Sequence, residues 1–145
     1  MRSNAGFTLL ELIVVLAIVS LGYAAVGVNF SAGNDAMELK AAARDLSSGL
    51  RYIRSQAMLS HETATLDFNL NHNSYSLTGQ NKIYTIPENI DVTVNTAKDE
   101  LHDGIAHLRF SPDGSSIGGR ITLEKKSHIQ EININWLTGH VTLAE

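Results

Sequence analysis

The chain has 145 residues, a formal charge of −4 and no cysteine. That length holds one domain once the N-terminal segment is set aside, and the missing cysteine excludes a disulfide framework and any Cys-ligated zinc site. It does not place the domain in a reducing compartment, because a domain with a sufficient core needs no bridge. The acidic balance, which deepens if Arg2 is lost, is the reverse of what a generic nucleic-acid binder carries.

Met1-Arg2-Ser3-Asn4-Ala5-Gly6 forms a short polar leader before Phe7-Thr8-Leu9-Leu10-Glu11-Leu12, and no further charge follows until Asp35. Residues 12–34 are long enough to span a bilayer as a helix, for which about 20 apolar residues suffice. Glu11 is the oddity in this run. An ionised carboxylate inside hydrocarbon costs roughly 2–3 kcal/mol on insertion scales, so it calls for a positively charged partner, and an amine is the simplest one. An ordinary secretory signal would use Arg2 as its basic region and Ala24-Ala25 as its cleavage site. Against that reading, Glu11 interrupts the apolar core, and the run continues through Val26, Val28 and Phe30.

These residues resemble the type IV prepilin signature, position by position and without a departure. The resemblance implies cleavage between Gly6 and Phe7 by a prepilin peptidase, N-methylation of Phe7, and a role in assembly for Glu11, which would neutralise the amino terminus of a neighbouring subunit. Two charges that are each costly in lipid become tolerable as a close pair.

Residues 35–61 have a helical pattern. Leu39, Ala43, Leu46, Leu50, Ile53 and Ala57 recur at steps of four and three and form one apolar stripe. Lys40, Arg44, Arg51 and Arg54 fall on other faces. Asp35 with Glu38 offers a capping-box-like start, or else a polar pair along one uninterrupted helix, which the resemblance favours. Gly22, Gly27 and Gly33 each weaken a helix by about 1 kcal/mol relative to Ala. They read either as sites of close helix packing in a membrane or as a stretch able to unwind on entering a filament.

After His61 the period changes to two. Ala64, Leu66, Phe68 and Leu70 alternate with polar residues as in a half-buried strand, Asn71-His72-Asn73 is a turn, and Tyr75 with Leu77 forms the return strand. A short strand over 83–86 stops at Pro87, and Ile90, Val92 and Val94 alternate again. Residues 96–104 read as a polar loop. Further strands are expected at 107–110, 120–124, 131–136 and 140–143, with Thr138-Gly139 turning the last pair and Trp136 in the core. One long helix followed by many short strands indicates an α+β fold.

Phe110-Ser111-Pro112-Asp113-Gly114-Ser115-Ser116-Ile117-Gly118-Gly119-Arg120-Ile121, with Trp136-Leu137-Thr138-Gly139-His140-Val141, resembles the end of H-type minor pseudopilins of type II secretion systems. FimT-like minor pilins share a similar outline. The resemblance implies a pilin-like molecule: a cleaved leader (1–6), a transmembrane and filament-core helix (7–34), an amphipathic helix (35–61) and a periplasmic β-rich domain (62–145). It implies a single-pass inner-membrane protein that joins other minor and major pseudopilins at the tip of a periplasmic pseudopilus. There it would support export of folded proteins across the outer membrane. No cofactor, metal, catalytic residue or small-molecule substrate is implied. The alternative is a FimT-like minor pilin that contacts DNA in natural transformation or acts in pilus assembly.

Enzyme signals are weak. Residues 112–119 are glycine-rich but lack the Lys-Ser/Thr ending of a P-loop, so they read as a hairpin loop. Ser111, Ser115 and Ser116 lack a nucleophile-elbow context, and no histidines form an HExxH pair. Asp99, Glu100, Asp103 and His107 could surround a cation, but their spacing is not that of an EF-hand and a solvated loop is the simpler reading. Phosphate contacts, were DNA the partner, would have to come from Arg120, Lys125, Lys126 and Arg109. Asp113, Glu124 and Glu131 lie among them, and no nucleic acid is expected.

Overall fold

Helix α1 runs unbroken over Leu9–Ser60 in the computed structural model, which describes residues 8–97 and 100–144, leaving aside the side chains of residues 24–33. Asp35 therefore lies inside a helix and caps nothing; of the two readings of Asp35 and Glu38, the polar pair along one helix holds. The helix ends where His61 adopts a left-handed conformation (φ 54°), the position that commonly closes a helix. Two compact units divide the chain, residues 1–35 and 36–145.

The second unit is organised by the apolar stripe. Leu39, Ala43, Leu46, Leu50, Ile53 and Ala57 are all buried, none more than 1 % exposed. Burying a large aliphatic side chain contributes about 1.5–3 kcal/mol, so this stripe is a principal source of the fold's stability. It joins one continuous core with Leu66, Phe68, Leu108 and Phe110 from one sheet and Ile121, Leu123, Ile132 and Ile134 from another.

Among the described residues, nine strands form two sheets: β1 Ala64–Asn69, β2 Ser74–Leu77, β3 Ile83–Thr85, β4 Asp91–Asn95, β5 Leu101–His102, β6 Ile105–Phe110, β7 Gly119–Lys125, β8 His128–Ile134 and β9 Val141–Ala144. The first sheet has the order β3-β2-β1-β6-β5 and the second β4-β7-β8-β9. Every pairing is antiparallel. Burial alternates along β1 as its sequence requires, with Ala64, Leu66 and Phe68 inward. In the first sheet Leu66 pairs with Leu77 and Leu108, and Phe68 with Tyr75 and Ala106. In the second, Ile121 pairs with Val94 and Ile132, and Ile134 with Val141.

Three expectations need correction. Residues 96–104 are not wholly loop: Leu101–His102 pairs with the start of β6. The intervening Asp103 and Gly104 both have positive φ (50° and 77°), the two-residue hairpin geometry that Asp-Gly favours. The β7–β8 hairpin is longer than expected, with Lys125 facing His128 across Lys126 (φ 56°). Trp136 is not a core residue: it is 66 % exposed. Extending the inward alternation of Ile132 and Ile134 would bury it, but β8 stops at Ile134. There the Asn135 side chain accepts the N–H groups of Leu137 and Thr138 (both 3.0 Å), turning the chain as Asn side chains do in turns.

Candidate functional site

The start of α1 is built by Thr8. Its hydroxyl oxygen accepts the Glu11 N–H (3.3 Å) and its carbonyl accepts the Leu12 N–H (3.3 Å), so Thr8 is the N-cap and Glu11 stands three positions on. Thr8-x-x-Glu11 is the capping-box spacing, a second local reason for an acid at this place that the sequence reading passed over. Glu11 also lies in the first helical turn, where the helix dipole favours negative charge. Gly6 and Phe7, expected to flank a cleavage site, lie outside the described residues.

The helix that follows is apolar on every face. Leu9, Leu10, Leu12, Ile13, Val14, Val15, Leu16, Ile18, Val19, Leu21 and Tyr23 are all exposed, without the polar face of a surface helix. Helices of this kind belong in a protein interior or in lipid. Among the described residues, no helix is long and apolar enough to cross a membrane; described side chains of the apolar stretch stop at Tyr23, short of the roughly 20 residues a span requires.

At the far end of α1, Arg54 joins the two segments that carry the C-terminal resemblance. Its Nε donates to the carbonyls of Gly114 and Thr138 (3.1 Å each). The Ser116 N–H donates to the Trp136 carbonyl (3.0 Å), and Phe110 bridges to Ser116. Gly139, at φ +62°, packs so closely that a Cβ would stand 2.1 Å from the Gly114 carbonyl oxygen. In the same loop Ser115 donates its hydroxyl (2.6 Å) and N–H (2.9 Å) to Asp113, which holds the Asp113 carboxyl below the usual range. The two motif segments are thus one structural unit clamped by a helix arginine. Arg54 was legible only as a polar-face residue next to Ile53; its partners are backbone carbonyls, which no side-chain pattern announces.

Three of the four residues considered for phosphate contact are engaged with acids or amides. Arg109 pairs with the buried Glu100 (2.9 Å). Arg120 bonds Asn133 (2.9 Å) and lies 3.7 Å from Glu131. Lys125 is buried at 4 % side-chain exposure and meets Glu38 of α1 at 2.5 Å. Two of the residues considered for a cation have other partners: Glu100 holds Arg109, and His107 Nδ1 faces Asp67 at 2.6 Å. Asp99 lies outside the described residues, among which no group of three or more His, Cys, Asp or Glu could hold a metal.

Comparison with known proteins agrees with this architecture. The family described as type II transport protein GspH matches residues 42–138, and the prokaryotic N-terminal methylation motif matches residues 1–26. The type II secretion system protein H of Xanthomonas campestris pv. campestris is 26 % identical over 141 residues, covering 97 % of this chain and 83 % of that protein. Among solved structures, the type IV minor pilin FimU of Pseudomonas aeruginosa superposes with a TM-score of 0.60 at 16 % identity, covering 80 % of this chain and 92 % of that one. The minor pseudopilin EpsH of Vibrio cholerae superposes with a TM-score of 0.59 at 15 % identity, covering 74 % and 96 %. These likenesses establish the pilin-like α+β fold. Because the family match spans residues 42–138, which take in the stripe from Ala43 onward and strands β1 to β8, this chain belongs to the GspH family of type II transport proteins, the H-type minor pseudopilins.

Proposed function

We propose that this chain is a tip-associated structural subunit of a type II secretion pseudopilus, processed after Gly6 and N-methylated at Phe7. Residues 7–34 hold it in the inner membrane before assembly and form the filament core afterwards, with residues 62–145 in the periplasm. The observation that carries this reading is a helix apolar on all its faces, from Leu9 to Tyr23, with Glu11 at its start. Such a helix needs a non-aqueous surround. Glu11 needs a cation there, and the methylated amine of a neighbouring subunit supplies one in the same low-dielectric layer. The partners are other minor and major pseudopilins, and the prepilin peptidase acts on it. The role is mechanical, with no reaction and no small-molecule substrate.

The FimT-like reading requires cationic side chains available to phosphates. Arg109, Arg120 and Lys125 are each engaged within the domain, which favours the secretion reading. Mass spectrometry of the chain isolated from a strain carrying the prepilin peptidase tests the processing step. The expected mature start is N-methylated Phe7; a start at Ala25 or Val26 would make the segment an ordinary signal and remove the assembly role of Glu11.

A further inference from the structure

Among the described residues, β3 and β5 edge the first sheet and β4 and β9 the second. Three of these edges are guarded. β3 has three residues with Pro87 two places beyond, and β5 has two residues. On β9, Arg51 of α1 donates to the Val141 carbonyl (3.3 Å). Short strands, proline and basic side chains are the usual protections of a sheet edge. β4 has none of them: Asp91-Val92-Thr93-Val94-Asn95 is a five-residue edge with a strand-forming Val-Thr-Val centre.

The backbone phase of β4 follows from the ladder. Hydrogen-bonded pairs alternate along antiparallel strands, and the two-residue turn makes Lys125–His128 one of them. The odd-numbered residues of β7 therefore bond β8, and its even-numbered ones bond Asp91, Thr93 and Asn95 of β4. Val92 and Val94 turn their N–H and C=O groups outward, where nothing among the described residues takes them up. Ile90, in the same phase, accepts the Asn73 side-chain amide at its carbonyl (2.8 Å). The Asn73 carbonyl accepts the Ile86 N–H (2.7 Å), so the 71–73 turn stands at a fixed distance from β4. Between them runs a groove of about 500 Å³, lined on one side by Asp91, Val92 and Thr93 in succession. Consecutive residues of a strand share an edge and not a face, so the groove follows the open backbone.

This groove is acidic. Glu88 and Asp91 line it and are exposed; no Lys or Arg is among its described lining residues, and His72 is its one basic side chain. Asp91 also stands directly opposite Glu124 on β7, a like-charge pair that is unfavourable in a sheet. Among the described residues none of these three carboxylates has an ion-pair partner. Lys125 turns inward to Glu38, and Lys126, in the β7–β8 turn, does not line the groove.

We infer that β4 is the docking edge for a basic, extended segment of another protein, which adds to the second sheet as a fifth strand. The segment's backbone bonds Val92 and Val94, and its Lys or Arg, set beside Glu88 and Asp91, offsets their charge. Strand addition takes affinity from the main chain and selectivity from side chains at alternate positions; here the acidic end of the groove selects. The inference is independent of which filament the chain joins.

The probe is a short capped peptide of alternating valine and threonine with lysine at both ends, so that either strand direction brings a cation to the acidic end. It is titrated into the full chain, isotope-labelled for NMR and held in phosphocholine micelles. The Val92 and Val94 amide signals should shift saturably, at a Kd of about 1 mM or tighter, and their hydrogen exchange should slow. The same peptide N-methylated at its central amides should have no effect. Glutamate in place of both lysines should weaken binding about tenfold or more. The Glu88→Gln/Asp91→Asn variant should bind the lysine peptide about fivefold more weakly, with an undiminished thermal transition. No shift at Val92 and Val94 up to about 10 mM peptide, equal binding of the N-methylated or glutamate peptide, or undiminished binding by the variant would overturn the inference. Shifts at these two amides that grow with protein concentration, in the absence of peptide, would overturn it in favour of β4 pairing with a second copy of this chain.

Discussion

Lys125 of β7 and Glu38 of α1, 87 residues apart in sequence, meet at 2.5 Å with the lysine side chain only 4 % exposed. The pair ties the helix to the second sheet where the apolar stripe begins at Leu39. Its two members are not equivalent, because the Glu38 side chain retains 34 % exposure.

That asymmetry gives the first prediction. Glu38→Ala strips a buried ammonium of a partner and should destabilise the domain by about 1–3 kcal/mol, less than the 3–5 kcal/mol typical of a fully buried pair. Lys125→Met fills the same space without charge and leaves Glu38 able to reach water, so it should cost less than Glu38→Ala. Urea denaturation of both variants checks the order; an equal loss would mean that the shape of Lys125 matters more than its charge.

Gly139 and Gly79 make a second test. Both have positive φ (62° and 81°), but a Cβ at Gly139 would meet the Gly114 carbonyl oxygen at 2.1 Å while one at Gly79 meets nothing within 4 Å. Gly79→Ala should cost only the left-handed conformation, about 1 kcal/mol. Gly139→Ala should cost appreciably more, about 2–4 kcal/mol, because it must also open the Arg54 clamp. Melting temperatures of the two variants decide this.

Tyr75 predicts an alkaline limit. Burial, aided by the negative charge of Asp45 and by Tyr84, pushes its phenol up to about 12 from 10.0. A folded-state value above the unfolded one means that the neutral phenol is favoured in the fold. Its contribution is complete below pH 10 and is lost as pH rises through about 12. The thermal transition should therefore fall between those values, and Tyr75→Phe should lessen the fall. An identical decline in the Phe variant would assign it to other groups.

Much of this architecture was legible because it rests on periodicity. The stripe from Leu39 to Ala57 and the alternation from Ala64 to Phe68 are each dictated by which side chains face one core. The β5–β6 hairpin was hidden because two residues carry no alternation, although Asp103-Gly104 does carry a turn signal. Trp136 was misplaced because its position depends on where β8 ends, which the Asn135 turn decides against the apolar pattern. Arg54 was invisible as a clamp because its acceptors are carbonyls some sixty and eighty-four residues away. The exposed apolar face of residues 9–23 and its carboxylate were readable at once, since lone charges in apolar runs are rare.

Glu11→Ala should still insert in the membrane, since it removes a charge from an apolar segment. It should also reduce co-purification with the other pseudopilins, because a neighbouring amine then lacks its counter-charge. Normal co-purification would exclude the pairing role.

The central claim is that the chain serves secretion. The direct measurement is the amount of exoprotein released by a strain lacking this chain, with DNA uptake scored in the same cultures. Secretion is predicted to fall and to be restored by the wild-type chain, with DNA uptake unaffected; unimpaired secretion together with lost DNA uptake would contradict the account.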